Sequence, residues 1–222
     1  MNPVSVNSPP RVSEEFTMVG TILMMTRAID VAGYLIHKAA AEPEPEYLTH
    51  LRLQKLLYYA QAWCLVTHDR PLFNAKVEAW RHGPVVREVY PSFADFGCNE
   101  IFPINHIPVP AILSEEDRLL VDSVWENYKV YSPNKLRTMT HSEGPWLSAR
   151  GESGEDDKCD SEITCESLKR FFTKRYEETK IPGIELDDLH AARIRFRAGQ
   201  GVPFERVLDE FGITDALRNR TG

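Results

Sequence analysis

Leu48–Tyr90 reads LTHLRLQKLLYYAQAWCLVTHDRPLFNAKVEAWRHGPVVREVY. Within it, Leu53, Leu56, Leu57, Ala60, Trp63 and Cys64 recur at i, i+3, i+4, i+7 spacing, which gives a helix a wide apolar face. Thr49 is suited to cap its start, and Asp69-Arg70-Pro71 breaks it. The segment Val77–Arg81 is short and partly alternating, so it is expected to be extended. Gly83-Pro84 is expected to turn, with Pro84 at the first position of a helix through Val85, Val86, Val89 and Tyr90. A dense apolar helix running into an aromatic-Gly-Pro element suits packing and presentation. It supplies no polar constellation for catalysis.

Outward from that stretch the chain remains helical in pattern. Ile29, Ala32, Gly33 and Ile36 fall at helical spacing, and Pro43 and Pro45 prevent that helix from continuing. Residues 101–113 (IFPINHIPVPAIL) hold too much proline for a helix and read as an extended connector. Ser114-Glu115-Glu116-Asp117 is a capping-box-like start for a helix burying Leu119, Leu120, Val124 and Tyr128. Ser132-Pro133 caps a short helix over Asn134–Thr140. His141 and Pro145-Trp146 follow, then a Gly/Ser/Asp-rich loop from Gly151 to Ser161. Ile163–Thr179 is amphipathic again through Leu168, Phe171 and Phe172. Pro182-Gly183 sets off a C-terminal segment in which two short helices are expected, one over Asp187–Ala198 and one opened by Pro203.

A chain of 222 residues fits one moderate domain with appendages and can bury a core without staples. Its net charge of -7 argues against a general nucleic-acid binder, which needs a concentrated Lys/Arg surface, though it leaves room for a local basic patch. Cys64, Cys98, Cys159 and Cys165 form no C-x-x-C pair and no Cys/His ligand spacing. No disulfide framework is expected, and a reducing cytoplasm is the default location. The apolar run Met18–Met25 is too short to span a bilayer and lacks a cleavage site. Residues 1–24 are read as a disordered leader, with Met24 or Met25 as alternative starts.

The chain carries few residue patterns that support chemistry. The seven histidines show no H-x-x-x-H or H-E-x-x-H spacing, and no phosphate-binding glycine loop exists. Cys64 lies on an apolar helix face, where a buried inert thiol is the common outcome. The carboxylates Glu152, Glu155, Asp156 and Asp157 lack a calcium-loop pattern. No catalytic residue, metal site or cofactor is therefore expected. Of the aromatic residues Tyr58, Tyr59, Trp63 and Trp80, at least half are expected in the core. Trp80, beside Arg81 and a turn, has a composition favoured at interfaces.

Several blocks together resemble the Panacea domain. They begin with Arg27-Ala28-Ile29-Asp30-Val31-Ala32 and Leu53-Gln54-Lys55-Leu56-Leu57-Tyr58-Tyr59-Ala60. They continue through Pro71-Leu72-Phe73, Glu78-Ala79-Trp80, Gly83-Pro84-Val85-Val86 and Val89-Tyr90. Leu136-Arg137-Thr138-Met139-Thr140-His141 with Pro145-Trp146 resembles the family's later motif, and Ile163–Phe172 its closing helix. The order and number of blocks carry the resemblance over roughly residues 26–175. It implies an antitoxin of a bacterial or phage toxin–antitoxin pair, of the SocA type, that binds a cognate protein toxin directly. Some members of this type are thought to hand the toxin to a AAA+ protease, so occlusion and proteolytic delivery both stand as mechanisms.

The expectation is thus a mainly α fold: a compact helical domain with a minor short β element near the Trp80–Pro84 turn, plus a C-terminal helical tail. The boundaries are a leader over 1–24, the Panacea-like domain over 25–180 and the tail over 181–222. Partner contacts are expected at Trp80, Arg81, His82, Gly83, Pro84 and Val85, and on a tail face carrying Ile194, Phe196, Phe204, Leu208 and Phe211. Coupled folding would let such a tail cover a large surface, and docking on its own domain is the alternative. No membrane or nucleic-acid partner is expected, and the oligomeric state is left open. Two rival functions remain: a hydrolase using His82 or His141, and a DNA-binding autoregulator using Arg193, Arg195 and Arg197. The arginines at i and i+2 do not share a helix face, which leaves that cluster diffuse.

Overall fold

The computed structural model describes residues 26–102, 113–154 and 157–179. The leader, most of the proline-rich connector and the C-terminal tail, with Phe196, Phe204, Leu208 and Phe211, lie outside these residues.

Around one buried helix the others pack. α1 (Ala28–Ala40) is followed by β1 (Leu48–Thr49) and then by the central helix α2 (His50–Thr67). The Thr49 hydroxyl accepts from the Arg52 N–H at 3.4 Å, so the expected cap is in place. Every residue from Arg52 to Ala62 is buried, Leu53, Leu56, Leu57, Tyr58 and Tyr59 completely. A helix buried all round needs partners on every side. α1, α4 (Glu115–Tyr128), α5 (Pro133–His141), α7 (Cys165–Thr179) and the β2–β3 hairpin provide them. Ser114 and Ser132 cap α4 and α5 as their sequences indicate, accepting from Asp117 N–H at 3.1 Å and Lys135 N–H at 3.2 Å. One further helix, α6 (Gly144–Arg150), occupies the stretch around Pro145-Trp146, where no helix was expected.

β2 (Val77–Trp80) and β3 (Gly83–Val86) form an antiparallel hairpin, with Trp80 opposite Gly83 and Val77 opposite Val86. Segment 161–163 adds to the other edge of β2, through Ala79 N–H to the Ser161 carbonyl at 2.9 Å and Ile163 N–H to the Val77 carbonyl at 2.7 Å. β1 pairs with β4 (Glu100–Ile101). The mainly α architecture with a minor β element at the Trp80–Pro84 turn is therefore as expected, and the β1–β4 pair is a second short β element that was not anticipated.

One local expectation is corrected. Pro84 does not open a helix; it lies inside β3, and the turn falls at Arg81–His82. Gly83 takes φ +94°, as in hairpins where a glycine follows the turn. The reason lies across the interface with α2. The Val86 N–H donates to Gln54 Oε1 at 2.8 Å and the Pro84 carbonyl accepts from Lys55 Nζ at 2.8 Å. Side chains of α2 thus satisfy backbone groups that a helix would have satisfied internally, and the chain stays extended. Helix returns only at α3 (Tyr90–Phe93), a single turn followed by a 3-10 turn over Ala94–Phe96.

Candidate binding site

The polar residues of α2 organise what surrounds it. Gln61 Oε1 accepts from the N–H groups of Leu72 and Phe73 at 2.9 and 3.1 Å, while its amide donates to the Phe73 carbonyl at 3.0 Å. Gln54 holds Val86 and faces His50 Nε2 at 3.1 Å. Lys55 is fully buried and holds Pro84. These three side chains dock residues 72–86 onto the core, since a buried backbone group without a partner costs roughly 1–3 kcal/mol.

Above Lys55 lies a cavity of about 520 Å³, between the start of α2, the hairpin, α3 and α5. Its walls combine apolar and aromatic surface from Leu51, Val85 and Tyr90 with Arg81, His82 and Arg137. His50 and Trp80 both pack on Tyr90, each with ring centroids 4.6 Å apart. The Trp80 indole N–H donates to Glu78 Oε2 at 2.7 Å, which fixes the ring beside the cavity. Gly83 packs closely on Lys55, which lines the cavity: a Cβ there would stand 2.7 Å from Lys55 Cε and 2.8 Å from Thr140 Oγ1. Burial pushes the Lys55 ammonium down to about 7, assisted by the positive Arg137. Burial, and secondarily the charge on Lys55, lowers His50 to about 4, so its ring is neutral at pH 7.

The expected contact residues are thus divided by the hairpin. Arg81 and His82 are exposed at the turn and Trp80 is half-buried, while Gly83, Pro84 and Val85 are buried. Trp80, Arg81, His82 and Val85 line the cavity; Gly83 and Pro84 do not, and each instead approaches Lys55. The sequence reading did not single out His50, Gln54, Lys55, Tyr90 or Arg137 as site residues. Their signal was the presence of His, Gln and Lys on a helix otherwise built of core residues. Arg137 comes from the later Leu136–His141 block, and in the cavity it meets residues of the earlier Leu53–Ala60 and Gly83–Tyr90 blocks.

A second buried polar cluster occupies another side of α2. Glu143, at the start of α6, accepts from the Tyr58 hydroxyl at 2.8 Å, the Tyr59 hydroxyl at 3.1 Å and Arg175 Nη1 at 2.9 Å. Burial raises its carboxyl, and the bonds from Tyr58, Arg175 and Tyr59 oppose that rise. This cluster ties α2, α6 and α7 together.

Of the two histidines considered for chemistry, His82 is exposed at the turn and lines the cavity, while His141 has a packing role. His141 stacks on Trp146 with centroids 4.0 Å apart and planes 11° from parallel, and the Trp146 indole donates to the Trp80 carbonyl at 3.0 Å. Cys64 does meet a histidine, His68 Nδ1 at 3.7 Å, but burial pushes its thiol up to about 12. It is therefore not a thiolate at neutral pH. Among the described residues no group of three His, Cys, Asp or Glu side chains could hold a metal, and no helix is long and apolar enough to cross a membrane.

Residues 53–147 match the family model described as Antitoxin SocA-like, Panacea domain. Antitoxin SocA of Caulobacter vibrioides (strain NA1000 / CB15N) is 35% identical over 126 residues, which cover 52% of this chain and 66% of that relative. The chain thus spans just under two thirds of the relative's length. No solved structure matches it.

Proposed function

We propose that this chain, which belongs to the SocA-like Panacea-domain family through residues 53–147, is an antitoxin that binds and neutralises a cognate protein toxin. The family match carries this reading, and the geometry supports it. The matched segment begins within α2, includes the hairpin and ends within α6, so it contains the exposed turn and the cavity lining apart from His50 and Leu51. Trp80, Arg81 and His82 would meet the toxin directly, with Gly83, Pro84 and Val85 setting their position from inside. The tail residues Phe196, Phe204, Leu208 and Phe211 are the proposed second contact.

Within this reading the toxin is either occluded or also delivered to a AAA+ protease. Co-expression with the product of the neighbouring reading frame tests the proposal. Relief of that product's toxicity and co-purification of the two chains are expected. A toxic neighbour that is neither relieved nor bound would sink it. Toxin lifetime with and without the protease separates the mechanisms: a lifetime that does not change leaves occlusion.

A further inference from the structure

The cavity beneath the hairpin stands apart from the rest of the chain in its charge. The protein carries 33 acidic against 26 basic residues. The cavity's described lining reverses that balance, with Lys55, Arg81 and Arg137, two histidines, and no aspartate or glutamate. Lys55 is wholly buried, and its ammonium meets a backbone carbonyl instead of a carboxylate. Burying a cation without an anion is expensive, which agrees with its depressed basicity. The remaining walls, Leu51, Val85, Trp80 and Tyr90, are apolar or aromatic. Such a lining complements an anion that carries an apolar group. A bare inorganic anion would leave those walls unused. Pockets of this size take a short peptide segment or a small molecule, and capture of acidic motifs by arginine is a recurrent mode of peptide recognition.

We propose that the cavity captures a carboxylate-bearing peptide segment of the toxin, an acidic residue or chain terminus next to an apolar side chain. The carboxylate sits toward Lys55, Arg81 and Arg137, and the apolar group rests against Leu51, Val85 and Tyr90. The inference rests on the antitoxin reading for the identity of the partner. It does not rest on that reading for the chemistry of the cavity.

Two measurements on the full chain separate these. In the first, calorimetry compares the peptide acetyl-Leu-Asp-Phe, with a free terminal carboxylate, with acetyl-Leu-Asn-Phe-amide and with inorganic phosphate. The charged peptide is expected to bind at least tenfold more tightly than either, and Arg137→Gln or the exposed Arg81→Gln should reduce its binding about tenfold. Equal binding of the two peptides, or phosphate binding as tightly as the charged peptide, overturns the proposal. In the second, the same variants are tested for neutralisation of the neighbouring frame's product. Weakened neutralisation with an unchanged melting temperature is expected. Full neutralisation by variants that no longer bind the charged peptide overturns capture of the toxin and leaves the antitoxin reading standing. Failure of the unaltered chain to neutralise counts against the antitoxin reading alone, because the peptide series still decides the cavity.

Discussion

Lys55, on α2, and Glu143, packed against it, are both buried ionisable groups, and their surroundings differ. Glu143 has Arg175 at 2.9 Å and two tyrosine hydroxyls, so its charge and lone pairs are met from three sides. Lys55 has the Pro84 carbonyl, and the nearby charge that acts on it is the like charge of Arg137. A paired buried charge mainly fixes how elements dock, because removing one partner leaves the other stranded. A buried charge without a counter-ion is held by the fold at a cost, and that cost falls when an anion arrives. One side of α2 is thus closed chemistry that locks helices, while the other is left open to a ligand.

The largest effect should come from breaking the closed side. Glu143→Ala removes the acceptor of two buried hydroxyls and the counter-ion of Arg175, and should cost about 3–5 kcal/mol in denaturant unfolding. Glu143→Gln keeps an acceptor and should cost less. A loss under about 1 kcal/mol for the alanine variant would show that the cluster does not lock α2, and the contrast with Lys55 would fail.

Next in size is Gly83→Ala. Alanine is strained at φ +94°, and its Cβ would press on Lys55 Cε and Thr140 Oγ1 at under 3 Å. A loss of about 2–3 kcal/mol is expected, with partner binding reduced as the hairpin shifts. Ser132→Ala, which removes only a cap, serves as a comparison at about 1 kcal/mol. If the two substitutions cost the same, Gly83 is an ordinary turn residue and the close approach is relieved by a small movement of Lys55.

Lys55 itself makes a pH-dependent prediction. Its folded value of about 7 lies below the ordinary 10.5, so between those values the unfolded chain holds more protons than the folded one. Stability should therefore rise with pH across that window and reach its low plateau as pH falls through about 7. The slope approaches ~1.4 kcal/mol per pH unit where the two states differ by a full proton. Lys55→Met should flatten this dependence between pH 7 and 9 while retaining the fold. A wild-type curve as flat as that of the variant would show that Lys55 finds compensation, and the asymmetry between the two sides would disappear.

Much of the fold was legible because apolar periodicity and caps are local. The α2 stripe from Leu53 to Cys64 and the hydroxyls of Thr49, Ser114 and Ser132 all appear in the structure as read. Tyr58 and Tyr59 are core, whereas Trp63 and Trp80 are partly exposed. What was not legible depended on side chains reaching across the fold. Pro84 looks like a helix start until Lys55 and Gln54, about 30 residues earlier, are seen holding β3 in extended form. α6 was hidden because Gly144-Pro145 reads as a loop, yet Pro145 stands in its first turn, where a proline loses nothing. The cavity required positions 50–55, 80–90 and 134–137 to meet, and no single window of sequence contains that meeting. Only the turn above it, Trp80-Arg81-His82, had a local signature, which is why that was the part anticipated.

Trp80 offers the smallest expected change in stability and the most direct test of the open side. Its ring packs on Tyr90 and its indole bonds Glu78 at 2.7 Å, yet the side chain remains half-exposed beside the cavity. Trp80→Ala loses one aromatic contact and part of the burial of one ring, so thermal unfolding should register about 1 kcal/mol. The neighbouring Trp146 should be nearly unaffected, because its indole donates to the Trp80 backbone carbonyl, which alanine retains. Partner affinity should fall much further, by at least tenfold, as for aromatic residues at the centre of an interface. A loss of more than about 3 kcal/mol in stability, with affinity per folded molecule unchanged, would place Trp80 with Tyr58 and Tyr59 as core. The hairpin would then belong to the closed side of α2, and the search for the partner surface would move away from it.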